Sequence, residues 1–131
     1  MAITSYRDLD VYRRAMKVLV TVHKVALKFP EYERYALADQ VRRASRSVPT
    51  NIAEGYGRRR SAKEFKHYLA VALGSANEMI VHLEITRELG YDAPENCNVL
   101  IEEYDIIGKM LFRLIENWRS NPPVPTQKSA Q

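Results

Sequence analysis

The residues best suited to chemistry in this chain lie between Arg42 and Lys66. There Arg42, Arg43, Arg46, Arg58, Arg59, Arg60, Lys63 and Lys66 are opposed by only two acids, Glu54 and Glu64. Eight cations against two carboxylates give the segment a net charge of +6, whereas the whole chain carries +4, so the remainder is slightly acidic. Charge concentrated in one stretch is the footprint of a polyanionic partner. The chemistry would be phosphate recognition: guanidinium forks match phosphate oxygens, and a helix N-terminus beside them adds unpaired N–H groups and a partial positive charge. The plain alternative is a solvated turn whose arginines serve solubility. Tyr56 either stacks on an exposed base, as in single-strand binders, or folds back over the protein.

Other reactive patterns are incomplete. Glu64-Phe65-Lys66-His67 has the Glu-x-x-His spacing of di-iron bundles, but such a site needs a second copy of the motif and two further core carboxylates. Glu78 and His82 lie four apart and can pair, without the further ligands of a zinc site. His23 falls in an apolar stripe and reads as a buried or interfacial histidine. Gly55-Tyr56-Gly57 lacks the third glycine and preceding strand of a dinucleotide fingerprint, and no Gly-Lys-Ser/Thr follows it. Ser45, Ser47, Ser61 and Ser75 have no base nearby in sequence, and Cys97 reads as core. The expectation is therefore no catalytic residue, no metal, no cofactor and no enzymatic activity.

The elements that must position the cations are helices. Leu37, Val41, Ala44, Val48 and Ile52 recur every three or four residues, predicting a helix from about Tyr35 to Glu54 and Gly55, kinked rather than broken at Pro49. Gly55 and Gly57 are expected to end it through left-handed backbone. Ser61-Ala62-Lys63-Glu64 has capping-box spacing and opens a helix towards Leu89, with Phe65, Leu69, Ala72, Ala76, Met79 and Leu83 on one face and Gly90 as its C-terminal glycine. Small residues from Ala70 to Ala76 predict a packing notch for another helix. Before these, Asp8 or Asp10 is expected to cap a first helix with Leu9, Tyr12, Met16, Leu19, His23 and Leu27 as its stripe; Val18, Val20 and Val22 widen its apolar surface. After them, Asp92 is expected to cap a fourth helix whose seam reads Cys97, Ile101, Tyr104, Gly108, Leu111, Ile115 and Trp118.

Composition agrees with a single globular domain: 46% hydrophobic, 27% charged, and a sequence pI near 9.3. The prediction is an all-α, antiparallel up-down four-helix bundle over residues 1–120 with a disordered tail over 121–131, where three prolines interrupt any periodicity. A single cysteine and no signal peptide predict the cytoplasm, and no run is long enough to span a membrane.

The run Ser47-Val48-Pro49-Thr50-Asn51-Ile52-Ala53-Glu54-Gly55, then Arg58, Ser61, Phe65 and Ala72-Leu73-Gly74-Ser75 with Glu78, resembles the four-helix-bundle proteins encoded in intervening sequences of bacterial 23S ribosomal RNA genes. The opening Tyr6-Arg7-Asp8-Leu9-Asp10-Val11-Tyr12 is similar to that family's start, so the resemblance covers roughly residues 5–118. It implies a non-enzymatic protomer that assembles as a ring-shaped homopentamer. A relative, the accessory protein of diversity-generating retroelements, implies nucleic acid and a reverse transcriptase as partners. Two functions follow as expectations: a homo-oligomer that binds RNA or DNA through the basic segment, or an adaptor that docks a protein such as a reverse transcriptase.

Overall fold

The apolar periodicities become four long helices, α1 (Asp10–Ala26), α2 (Leu37–Gly57), α3 (Ala62–Glu88) and α4 (Pro94–Asn117). They are seen in a computed structural model that describes residues 2–119; the tail expected over 121–131 lies outside the described residues. Short connections make sequential neighbours antiparallel. Each helix packs on the next, and α4 returns to α1, giving up-down packing. One cluster forms the core, with Val22, Val41, Val48, Ile52, Phe65, Leu69, Met79, Tyr104, Ile107 and Leu111 at most 1% exposed. Full burial of such side chains stabilises by roughly 1.5–3 kcal/mol each.

The expected faces of α2 and α3 are the buried ones. Helix α2 runs unbroken through Pro49, whose ring is itself buried. Beside it Asn51 Nδ2 donates to the Ser47 carbonyl at 2.8 Å, and the Ser47 and Ser75 hydroxyls share a 2.7 Å bond that joins α2 to α3. Gly90 closes α3 at φ 73°, with its N–H on the Arg87 carbonyl and that of Tyr91 on Thr86, the paired bonds of a Schellman end.

Other expectations are corrected. The buried stripe of α1 is Val11, Ala15, Val18, Val22 and Val25; of the expected one Leu9 is buried just before the helix, but Tyr12, Met16, Leu19, His23 and Leu27 form a second apolar face that the fold leaves partly or fully exposed. A helix with two apolar faces does not announce in its own sequence which one its neighbours will cover. Leu9, not an aspartate, occupies the α1 N-cap, because Asp8 closes a capping box with Ser5 around a preceding short helical turn, Tyr6–Asp8. There the Thr4 N–H, foremost, holds the Asp8 carboxyl below its ordinary range. In α4 the buried residues are Cys97, Leu100, Tyr104, Ile107, Gly108 and Leu111, so four of the expected seam are buried, while Leu100 and Ile107 displace Ile101 and Ile115, which are only half-buried. Its N-cap is Ala93, one residue after Asp92, with Pro94 in the first turn. Asp92 instead accepts from the Ala93 N–H, Asn96 and Lys28; burial raises its carboxyl, but those bonds outweigh it and hold the group below the ordinary range.

Candidate nucleic-acid interface

The α2–α3 turn is held by its own arginines. Arg58 Nε donates to Glu54 at 3.0 Å and its NH1 to Glu64 at 3.2 Å, bracing the end of α2 against the start of α3. Hydrogen bonds to Glu54 and Glu64 push its guanidinium even further towards the charged form. Arg59 donates to the Tyr56 carbonyl at 3.1 Å, and its guanidinium lies 4.2 Å from the centre of the Tyr56 ring. Ser61 accepts the Glu64 N–H at 3.1 Å and so caps α3; the other half of the expected capping box is absent because the Glu64 carboxylate goes to Arg58.

Gly55 has a different role from the one expected. It is helical, and the only glycine with positive φ among the described residues is Gly90. A Cβ at Gly55 would lie 2.7 Å from Tyr68 Cβ and 3.0 Å from Phe65 Cδ1, so glycine is needed for α3 to cross close to α2. The crossing brings the Tyr56 and Phe65 rings edge to face at 6.1 Å. Tyr56 is 4% exposed, its ring covered by Arg59, so it folds back over the bundle and offers no platform to a base.

The eight basic residues do not form one patch. Arg46 precedes Arg58 by twelve residues of helix, about 18 Å. On α2, Arg42 donates to the Arg34 carbonyl at 2.9 Å, and Arg42 and Arg43 each lie 3.7 Å from Asp39. Arg42 and Arg46 also flank His23 of α1; burial first, then these two cations, lowers its pKa. At the turn, Arg60 and Lys63 are exposed and Lys66 half-buried, and among the described residues none of the three has a carboxylate within 4.0 Å. Arg46 is likewise exposed without such a partner. Arg60, Lys63 and Lys66 thus surround the N-terminus of α3 with uncommitted charge, whereas Arg58 and Arg59 are structural.

Up-down topology brings the first and last of the described residues to the same end of the bundle. Trp118 stacks edge to face on Phe65 at 4.7 Å, and the Tyr56 hydroxyl is 3.5 Å from the Ile3 carbonyl. Arg7 and Arg119, both exposed, therefore join this end. They lie outside the charge run, and only the topology could have added them. The other reactive patterns are dispersed: His67 is exposed against Tyr68, Glu64 serves Arg58, and His82 Nε2 bonds Glu78 at 2.9 Å. Cys97 is buried, which pushes its thiol pKa up. Among the described residues no helix is long and apolar enough to cross a membrane.

Four helices in up-down packing, with an arginine-braced turn at one end, define a small all-α bundle class. Within it, the chain belongs to the 23S rRNA-intervening sequence protein family, whose pattern matches residues 7–113. It is similar to a protein of unknown function from the S23 ribosomal protein family of Bacteroides thetaiotaomicron, whose crystal structure at 1.70 Å superposes with a TM-score of 0.74. That pair shares 22% identity over 82% of this chain and 96% of the other, a likeness of fold alone. No curated protein matches the chain.

Proposed function

We propose that this is a non-enzymatic, homo-oligomeric, cytoplasmic protein that binds RNA or DNA through phosphate contacts at the α2–α3 turn. The observation that carries the reading is the uncommitted charge of Arg60, Lys63 and Lys66 around the N-terminus of α3. Unpaired cations can replace the counterions of a phosphate backbone, whereas Arg58 would first have to leave two carboxylates. Phosphate contacts position a nucleic acid without reading its sequence, so little base preference is expected. Self-association is supported by apolar side chains left exposed on α1, α3 and α4: Val20 at 52%, Val81 at 51%, Val99 at 66% and Phe112 at 56%. Five copies is what the family resemblance implies.

The test is fluorescence anisotropy with labelled single- and double-stranded RNA and DNA across a salt series. Arg60→Ala/Lys63→Ala/Lys66→Ala should lose at least about tenfold in affinity and flatten the salt dependence, with helicity unchanged by circular dichroism. Absence of wild-type binding at low salt would reject the reading in favour of an adaptor whose basic end meets an acidic protein, such as a reverse transcriptase.

A further inference from the structure

Single strands and duplexes make different demands on a protein. A single strand is held in large part by its bases stacking on exposed rings, whereas a duplex keeps its bases stacked inside and offers phosphates. Among the described residues, the rings at the basic end of the bundle are all engaged. Phe65 is fully buried, and Trp118 stands edge-on to it at 4.7 Å. Tyr56 is 4% exposed beneath the Arg59 guanidinium. The half-buried Tyr68 has the Arg58 guanidinium 5.3 Å from its ring centre and the His67 ring edge-on at 5.2 Å. Tyr6 packs edge to face on Tyr12 at 4.9 Å and carries the Arg7 guanidinium 4.5 Å from its centre. The open ring of Phe112 stands on the flank of the bundle instead, over a hollow it shares with Leu73, Asn77 and Asp105.

The same end holds uncommitted cations. Arg7, Arg60, Lys63 and Arg119 are exposed and Lys66 half-buried, and among the described residues none of the five has a carboxylate within 4.0 Å. Most of the acids beside them are already satisfied. Asp8 accepts from the Thr4 and Ser5 N–H groups, Asp10 pairs with Arg13, and Glu54 and Glu64 hold Arg58, which leaves the exposed Glu116. The Trp118–Phe65 contact sets Arg119 beside the first turn of α3, and the Tyr56–Ile3 contact sets the segment before α1 beside the last turn of α2. Neighbouring helices of a bundle lie 8–10 Å apart, so these cations cover a face about 20 Å across rather than a line. A duplex brings two phosphate backbones to such a face, one charge per roughly 1.7 Å of axis, where a single strand brings one per roughly 3.4 Å.

We propose that the basic end of the bundle takes double-stranded nucleic acid in preference to single strands, with Arg7 and Arg119 contacting phosphates alongside Arg60, Lys63 and Lys66. This rests on the reading of the chain as a nucleic-acid binder and names the form of its ligand. With no ring free to receive a base, a single strand gains only phosphate contacts here, and it offers fewer phosphates to the face than a duplex does. RNA and DNA duplexes share this chemistry, so both enter the test.

The experiment is fluorescence anisotropy at low salt with a labelled strand of two helical turns, alone and annealed to its complement, in both RNA and DNA. Each duplex should bind at least about tenfold more tightly than its own strand, and the tighter duplex identifies the ligand as RNA or DNA. Arg7→Ala/Arg119→Ala, two exposed positions remote from the core, should weaken duplex binding at least about tenfold and lower the salt slope by roughly 2, with circular dichroism unchanged. Glu116→Lys should instead tighten duplex binding at least about threefold, a gain that misfolding cannot mimic. Single strands bound as tightly as duplexes would overturn the preference and leave nucleic-acid binding standing. An unchanged duplex slope in the double variant would overturn the part given to Arg7 and Arg119. No binding of either form at low salt would overturn the nucleic-acid reading itself.

Discussion

At residue scale the two glycines of the α2–α3 region separate cleanly by what surrounds them. Gly55→Ala forces a Cβ to 2.7 Å from Tyr68 Cβ, and because both atoms are anchored to helix backbones the crossing must widen. The expected cost is about 1–3 kcal/mol in urea denaturation, whereas Gly57→Ala, with nothing within 4 Å, should be neutral or stabilising. Equal effects at the two positions would mean that the close crossing is not what holds Gly55. His23 supplies a pH-dependent case. Its folded pKa is lowered from 6.5 by burial and by Arg46 and Arg42, so the unfolded chain binds its proton more readily than the folded one. Its contribution is fully present above about pH 6.5 and lost as pH falls below that value through the lowered folded pKa. Thermal melts from pH 7.5 to 5 should show His23→Gln losing less stability on acidification than the wild type. The sequence read His23 as buried or interfacial but could not name its neighbours, since Arg42 and Arg46 reach it only once α1 lies on α2. Tyr56 illustrates the same limit: its fate depended on Arg59 covering the ring, a contact between side chains that no periodicity encodes.

At the scale of elements, the buried faces of α2 and α3 were readable and those of α1 and α4 were not. The stripe of α2 was legible almost to the residue because its other faces are polar or small, and that of α3 because Phe65, Leu69, Met79 and Leu83 outweigh Val71, Val81 and Ile85, which stand exposed elsewhere on it. In α1 and α4 two apolar stripes compete, and choosing between them requires knowing where the neighbouring helices stand. Leu111 belongs to both readings of α4 and is 0% exposed. Leu111→Ala should therefore cost roughly 2–5 kcal/mol, while Ile115→Ala, on a half-buried position, should cost clearly less. Comparable costs at the two sites, measured by chemical denaturation, would restore the seam through Ile115. The arginine triplet shows how charge alone misleads: three consecutive residues of one chemistry divide into a brace between helices, a cover for a tyrosine, and one exposed cation. Because the Arg58 pairs are about half exposed and screened by solvent, Arg58→Ala should leave the urea midpoint nearly unchanged, although it frees Glu54 and Glu64 beside the proposed phosphate site.

At the scale of the molecule, binding and assembly become one question. If copies associate, the basic end of the bundle is repeated in the assembly, and Arg60, Lys63 and Lys66 with it. A long nucleic acid would then neutralise cations from several copies at once, and the later contacts form at the high effective concentration set by the first. The logarithm of affinity falls with the logarithm of salt by about 0.9 per phosphate neutralised on duplex DNA, so one copy using the five cations of its basic end should show a slope of roughly −4 to −5. Duplex length is the informative variable, because it changes how many copies one ligand can reach without altering the protein. Wild type should bind duplex DNA of a few turns with a distinctly steeper slope than a duplex too short to reach a second copy, and at least about tenfold more tightly at low salt. If the long duplex gave no steeper a slope than the short one, binding would be a property of single copies, and the assembly would have no part in it.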